Sequence, residues 1–168
     1  MKRNNINLWS DKIAYILEQL ATLPGLLSII LMAVVILFEV FYRYVLFNPL
    51  SWSDEFAVYC NIWMGFLGIG VAIKHDEHPA LNFVLERLPP HVSKVLKILG
   101  MVLTSIFFLC ITIWGFEYAI ISGKYRMSWA LGISMVLPMI SVPIGSLFAF
   151  LQLILRLIRI IIYNNQTE

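Results

Sequence analysis

The sequence predicts an all-α integral membrane protein with four transmembrane helices and two amphipathic interfacial helices on the cytoplasmic side. Two observations support this prediction. Hydrophobic residues make up 60% of the 168-residue chain, charged residues only 13%, and the mean hydropathy is +0.84. Soluble domains contain about 25% charged residues, so the additional apolar surface here requires lipid around it. In addition, a spanning helix needs about 20 mostly apolar residues, and four segments meet this requirement.

The whole chain, residues 1–168, is predicted to form a single membrane domain. The predicted transmembrane helices are 23–44, 56–73, 95–121 and 137–163. Residues 1–20 are too polar for a cleavable signal peptide, and the apolar run that follows lacks a small-residue cleavage site. We therefore expect the first span to remain in the protein as an anchor.

Two further segments have the pattern of helices that lie in the membrane surface. In residues 1–22, apolar side chains recur at helical spacing with polar residues between them, at Trp9, Ile13, Ile16, Leu17 and Leu20. In residues 79–90, Pro79 suits a first helical turn, one face is apolar, and Pro89 and Pro90 end the helix.

The distribution of basic residues predicts the orientation. An even number of spans places both termini on one side, and nine of the twelve Lys and Arg residues then lie on that side. The other three are Arg43, Lys124 and Arg126. By the positive-inside rule both termini are cytoplasmic, and the loops 46–54 and 122–136 face outward.

The composition and motifs argue against several classes of site. A net charge of +2, spread along the chain, predicts no nucleic-acid surface. Cys60 and Cys110 lie in apolar runs, which gives no disulfide framework. His75 and His78 are conceivable zinc ligands, but no convincing set completes a tetrahedron, and a haem would need histidines inside the bundle. We predict no metal, no cofactor and no enzymatic activity.

The centres of the four predicted spans lack ionisable residues. These centres fall near Ala33, Met64, Phe108 and Phe150, and the nearest polar side chains are neutral. Ion-coupled carriers usually contain carboxylates at this depth, or paired broken helices in repeated halves. The sequence has neither feature, so we expect that the chain does not transport a solute alone.

Charged residues instead gather near the predicted outer face. They are Glu39, Arg43, Asp54, Glu55, Glu117, Lys124 and Arg126. One interpretation is a contact layer for a partner protein. The other is a set of internal ion pairs, together with carboxylates that are favoured at a helix N-terminus. The sequence leaves both open, and Trp52, Trp114 and Trp129 at the same level fit an interfacial aromatic belt.

Small residues form a stripe on two of the predicted spans. The second span carries Ala57, Asn61, Gly65 and Gly68, and the fourth carries Ser141, Gly145 and Ala149. Such stripes allow close approach of helices in lipid. They fit either internal packing or contact with another membrane subunit.

Several of these residues together resemble a known family. The matching positions are Arg43-Tyr44, the run from Asn48 to Glu55 that includes Trp52 and Asp54, then Tyr59, Trp63, Phe66, Gly68 and His78, and later Gly123-Lys124-Tyr125, Leu131-Gly132-Ile133 and Pro143-Ile144-Gly145. Over about residues 35 to 150 the chain resembles the small membrane subunit (DctQ-like) of tripartite ATP-independent periplasmic (TRAP) transporters. Ser134 departs from the pattern, since a proline often follows the Leu-Gly-Ile element.

The resemblance implies a division of labour. A periplasmic substrate-binding protein captures an organic acid, such as a C4-dicarboxylate or a sialic acid, and a large permease subunit moves it with a sodium gradient. The small subunit, in the bacterial inner membrane, supports the scaffold of the large one. The binding protein would then contact Asp54, Lys124, Tyr125 and Arg126. The alternative function is an accessory or assembly subunit of an unrelated membrane complex.

Overall fold

The computed structural model describes residues 2–74 and 89–164, and this part of the chain is all-helical. The elements are α1 (Lys2–Tyr44), α2 (Ser53–Lys74), α3 (Pro90–Lys124), α4 (Val136–Met139) and α5 (Ser141–Asn164). Four segments are long and apolar enough to cross a membrane, at Lys12–Tyr44, Ser53–Lys74, Val92–Lys124 and Val136–Ile160. The predicted four-span helical architecture is confirmed. Residues 79–88 of the second predicted interfacial helix, and His75 and His78, lie outside the described residues.

Helix α1 continues without a break from the predicted surface segment 1–22 into the first span. Its 43 residues correspond to about 65 Å at ~1.5 Å per residue, about twice a ~30 Å hydrocarbon core. Pro24 lies inside the helix and lacks the N–H that would bond to the carbonyl of Leu20. The Ser28 hydroxyl donates to the Pro24 carbonyl oxygen at 2.8 Å. A surface position for residues 1–22 stays a prediction.

The core lies where α5 packs between α2 and α3. Its buried members are Ile73, Met101, Phe108, Ala149 and Leu153. A Cβ atom placed on Gly145 of α5 would lie 2.5 Å from the Phe66 Cβ of α2, so only glycine permits this helix contact. Helix α1 contacts α2 and α5, and in the described part of the chain it makes no contact with α3.

The fourth span is built from two helices, whereas the sequence predicted one helix over 137–163. Helix α4 ends at Met139, Ile140 lies in a turn, and α5 begins at Ser141. Pro143 has no N–H to bond to the carbonyl of Met139, which weakens the helix at this point. The Ser141 hydroxyl donates to the Pro138 carbonyl oxygen at 2.6 Å and thereby satisfies a carbonyl at the break.

The spans differ in how much of their surface the chain itself covers. Only 11% of the most apolar part of α1 is buried, against 44% for the span that contains α5. Large apolar faces of α1 therefore face outward, where lipid or another membrane protein must cover them.

Candidate functional site: the loop face

One end of the bundle brings together most of the charged residues singled out from the sequence. We call it the loop face: the last turns of α1 and α3, the first turns of α2 and α4, and the connections 45–52 and 125–135. Two glutamates, Glu39 and Glu55, organise the polar contacts of this face.

Glu39 is a buried carboxylate, with 5% of its surface exposed, that joins α1 to the start of α2. Arg43, one turn later, donates from Nε at 2.8 Å and places Nη2 at 2.5 Å from Glu39 Oε1. Glu39 Oε2 accepts from the Leu50 N–H at 3.0 Å and lies 2.9 Å from the Ser53 hydroxyl. A buried carboxylate needs several donors to replace the water that it has lost. Glu39 finds them within the chain, and its contact with Arg43 is an internal ion pair.

Asp54 lies beside this pair but is exposed. Its side chain is 84% accessible, and Oδ2 lies 3.8 Å from Arg43 Nη2. Asp54 and Glu55 both occupy the first turn of α2, where the helix dipole favours negative charge. The two neighbouring acids therefore differ in their surroundings, because Asp54 faces outward and Glu55 does not.

Glu55 joins the first turn of α2 to the 125–135 connection. Its Oε2 accepts from the Ser128 hydroxyl at 2.6 Å, the Ala130 N–H at 2.9 Å and the Leu131 N–H at 3.2 Å. Its Oε1 accepts from the Tyr59 hydroxyl at 2.5 Å. Sequence reasoning assigned Glu55 to the outer charged layer, to the family motif and to a favoured helix N-terminus. It missed the contact with Ser128, because no local pattern connects residues 73 positions apart.

The 125–135 connection is a short hairpin-like loop. The Ser128 N–H donates to the Ile133 carbonyl at 2.8 Å, and the Met135 N–H donates to the Arg126 carbonyl at 3.0 Å. Gly132 has a φ of 65°, a left-handed conformation that favours glycine, which accounts for its place in the Leu-Gly-Ile element. Ser134, the residue that departs from the family pattern, donates its hydroxyl proton to the Gly123 carbonyl at 3.1 Å.

The side chains that sequence reasoning assigned to partner contact all lie on the outside of this face. Lys124, Tyr125 and Arg126 are exposed, and Tyr125 is 83% accessible. With Asp54 they form a mixed-charge surface around the hairpin-like loop. Trp129, near its tip, is fully accessible, and Trp52 is 37% accessible.

The two small-residue stripes have different surroundings. Ser141, Gly145 and Ala149 are buried inside the chain, where α5 meets α2 and α3. On α2, Ala57 is half-buried, whereas Asn61, Gly65 and Gly68 are exposed. A Cβ placed on Gly65 or Gly68 would meet no atom within 4 Å.

Gly68 also lines a groove of about 250 Å³ between α1 and α2, opposite Gly25 of α1. The α5 stripe thus serves internal packing, and the α2 stripe borders an open groove. Among the described residues, no group of three His, Cys, Asp or Glu side chains could hold a metal ion.

The relatives that are similar to this chain include the following three. The small permease protein SiaQ of the sialic acid TRAP transporter of Vibrio cholerae is 29% identical over 139 residues, which cover 82% of this chain and 77% of SiaQ. The ectoine TRAP transporter small permease protein TeaB of Halomonas elongata is 26% identical over 134 residues, 79% of this chain and 69% of TeaB. The sialic acid TRAP transporter permease protein SiaT of Haemophilus influenzae is 32% identical over 89 residues, 53% of this chain but only 14% of SiaT.

The family model for the DctQ component of tripartite ATP-independent periplasmic transporters matches residues 32–162. This range includes both glutamates of the loop face, the hairpin-like loop and the open stripe on α2. The chain therefore belongs to the DctQ family, the small permease subunits of TRAP transporters.

Proposed function

We propose that the chain is a non-catalytic scaffold subunit that supports a large permease subunit and does not move solute by itself. The observation that carries this proposal is the position of its ionisable residues. No Asp, Glu, Lys, Arg or His lies between Glu18 and Glu39, between Glu55 and Lys74, between Lys97 and Glu117, or between Arg126 and Arg156. A charge at mid-membrane is the usual mark of ion coupling, so the centre of this bundle offers no such site.

The polar side chains nearest the centre of α3 are engaged by their own helix. Thr104, Ser105 and Thr112 each donate to the carbonyl oxygen four residues earlier, at 2.8 Å. A hydroxyl used in this way donates its proton within its own helix and needs no acceptor from another element. This supports a structural role for α3.

The large permease subunit is the proposed partner inside the membrane. The match to SiaT covers only 14% of that permease protein. In SiaT, the segment that is similar to this chain is therefore part of a much longer polypeptide. On this chain the open stripe of α2 is the proposed contact, because the polar amide of Asn61 is exposed there. At ~1.5 Å per residue, Asn61 lies about 12 Å into α2 from its first residue, Ser53. An amide facing lipid lacks hydrogen-bond partners, and a second helix can supply them. Family membership sets aside the alternative of an unrelated complex.

The loop face is the proposed docking surface for a periplasmic substrate-binding protein. This assignment places both termini in the cytoplasm of a bacterial cell with the chain in the inner membrane, in line with the excess of Lys and Arg on that side. Asp54, Lys124, Tyr125 and Arg126 would then meet the binding protein. We propose organic acids as substrates, driven by a sodium gradient. The relatives named for sialic acid and for ectoine differ in substrate, which fits selection by the other subunits.

Reconstitution tests this proposal. Liposomes with an inward sodium gradient are prepared with this chain alone, and with this chain, its large subunit and the binding protein. Uptake of radiolabelled N-acetylneuraminate and of succinate is then measured. We expect no uptake by the chain alone and sodium-dependent uptake of an organic acid by the full system. Uptake of either acid by the chain alone would contradict the scaffold role.

A further inference from the structure

A second cluster of charged residues lines a cavity at the end of the bundle opposite the loop face. The cavity has a volume of about 140 Å³ and lies between α1, α2, α3 and α5. Four of its eight lining residues are basic, namely Lys74, Lys97, Arg156 and Arg159. The described lining contains no carboxylate. These basic residues come from three different helices, and the charge of Lys74 is paired with that of Glu18.

Hydrogen bonds and an ion pair hold the walls of this basic cavity in place. Lys74, at the end of α2, forms an ion pair with Glu18 of α1 and lies 5.3 Å from the centre of the Tyr15 ring. Arg156 donates from Nη1 to the Ile73 carbonyl at 3.0 Å. Gln152 donates from Nε2 to the Ala14 carbonyl at 2.9 Å. These contacts connect α1, α2 and α5, so the site exists only in the assembled bundle.

The basic cavity lies at the end of a candidate membrane span. Lys74 is the last residue of α2, a helix of 22 residues whose other end carries the loop face. At ~1.5 Å per residue α2 is about 33 Å long, close to the thickness of a hydrocarbon core. In a bilayer spanned by α2, the cavity would lie close to the phosphate groups of one lipid leaflet.

The lining has two kinds of surface. Beside the four basic residues it includes the apolar side chains of Leu155 and Ile160. Free phosphate would use only the basic part, whereas a phospholipid offers a phosphate to the basic part and hydrocarbon to the apolar part. Basic pockets between membrane helices are typical sites for anionic headgroups. We propose that this cavity binds the phosphate headgroup of an anionic phospholipid.

Lipid titration of the full-length chain in dodecyl maltoside tests the proposal. The probes are dioleoyl phosphatidylglycerol, dioleoyl phosphatidylcholine with the same acyl chains, and inorganic phosphate. Binding is followed by native mass spectrometry and by the thermal unfolding midpoint. We expect tighter binding of phosphatidylglycerol than of phosphatidylcholine. Inorganic phosphate should produce little stabilisation at the same concentration, because it lacks the hydrocarbon.

Two matched double variants separate a specific cavity from general charge attraction. Lys97→Gln with Arg159→Gln removes two charges from the cavity. Lys12→Gln with Lys94→Gln removes two charges from the same end of the bundle, outside its lining. Each basic residue near the membrane surface contributes about 1 kcal/mol to the binding of an anionic lipid. The cavity variant should therefore lose about 2 kcal/mol of binding free energy, which corresponds to about thirtyfold weaker binding of phosphatidylglycerol. The outside variant should retain the affinity of the parent chain.

A charge-retaining variant, Lys97→Arg with Arg159→Lys, is the control for effects of substitution on folding. It should keep the preference for phosphatidylglycerol. Three results would overturn the proposal. These are equal weakening by the cavity and outside variants, equal binding of the two phospholipids by the parent chain, and equal stabilisation by inorganic phosphate. The comparison of phospholipids needs no substitution, so it remains decisive even if a variant fails to fold.

Discussion

Glu55 and Ser128 are joined by a hydrogen bond of 2.6 Å that connects the first turn of α2 to the hairpin-like loop before α4. Glu55 also accepts from two backbone N–H groups of that loop. One carboxylate therefore fixes the loop that carries Arg126 and directly follows Lys124. These hydrogen bonds hold the loop in a defined position, and substitution of Glu55 tests how much the loop depends on them.

The first prediction concerns Glu55→Gln. Glutamine is uncharged and has an NH2 group in place of one acceptor oxygen. Either the loop donors or the Tyr59 hydroxyl then faces a donor, and the remaining bonds are weaker. We expect severalfold faster trypsin cleavage after Lys124 and Arg126 in detergent, and a lower thermal midpoint. Asp54→Asn is the matched control, because Asp54 occupies the same helical turn without contacting the loop. Equal effects of the two substitutions would assign the loss to the helix dipole.

The second prediction compares two changes at the other glutamate of the loop face. Glu39→Ala leaves the Leu50 N–H, the Ser53 hydroxyl and the Arg43 guanidinium without their shared acceptor. Arg43→Gln leaves Glu39 with two of its donors. The thermal midpoint should therefore fall further for Glu39→Ala than for Arg43→Gln. The opposite order would mean that Arg43 holds this end of the molecule.

The third prediction separates the two small-residue stripes. Gly145→Leu must displace Phe66, since even a Cβ would lie 2.5 Å from the Phe66 Cβ. Overpacking of this kind costs about 1–3 kcal/mol or more, so the isolated chain should unfold at lower temperature. Gly68→Leu has free space in the chain alone. It should leave that stability unchanged and reduce co-purification of the large subunit. Normal co-purification with Gly68→Leu would remove the α2 stripe from the interface.

The fourth prediction concerns docking. Reversal of both cations, Lys124→Glu with Arg126→Glu, should slow uptake by the full system because exposed charges act mainly on the encounter rate. We expect about a tenfold loss at low salt and limiting binding protein, and a smaller loss at physiological salt. The Debye length shortens from about 30 Å at 0.01 M to about 8 Å at 0.15 M. Complex yield and thermal midpoint serve as folding controls. Unchanged uptake at low salt would show that these cations take no part in docking.

The general architecture follows directly from the sequence because it depends on local composition. Apolar run length predicts four spans, and the internal pair of Glu39 and Arg43 is one of two interpretations that their i,i+4 spacing allows. The break at Ile140 is also local, since Pro143 removes a helix hydrogen bond, but hydrophobicity alone does not reveal it.

The remaining features depend on contacts between distant segments. Gly68 and Gly145 look equivalent in sequence, yet one lies in an open groove and the other against Phe66. Which stripe is buried depends on how α2 and α5 rotate toward each other. The contact of Glu55 with Ser128 likewise depends on the fold that brings α2 to the loop before α4.

Glutamates of the continuous helix α1 contact α2 near both ends of α2. Glu39 accepts from Ser53 at the loop face, and Glu18 pairs with Lys74 at the opposite end. The two glutamates are 21 residues apart, about 32 Å at ~1.5 Å per residue, and the groove beside Gly25 and Gly68 lies between them. If a helix of the large subunit occupies this groove, as we propose, it would lie between these two contacts and would not need to break either of them.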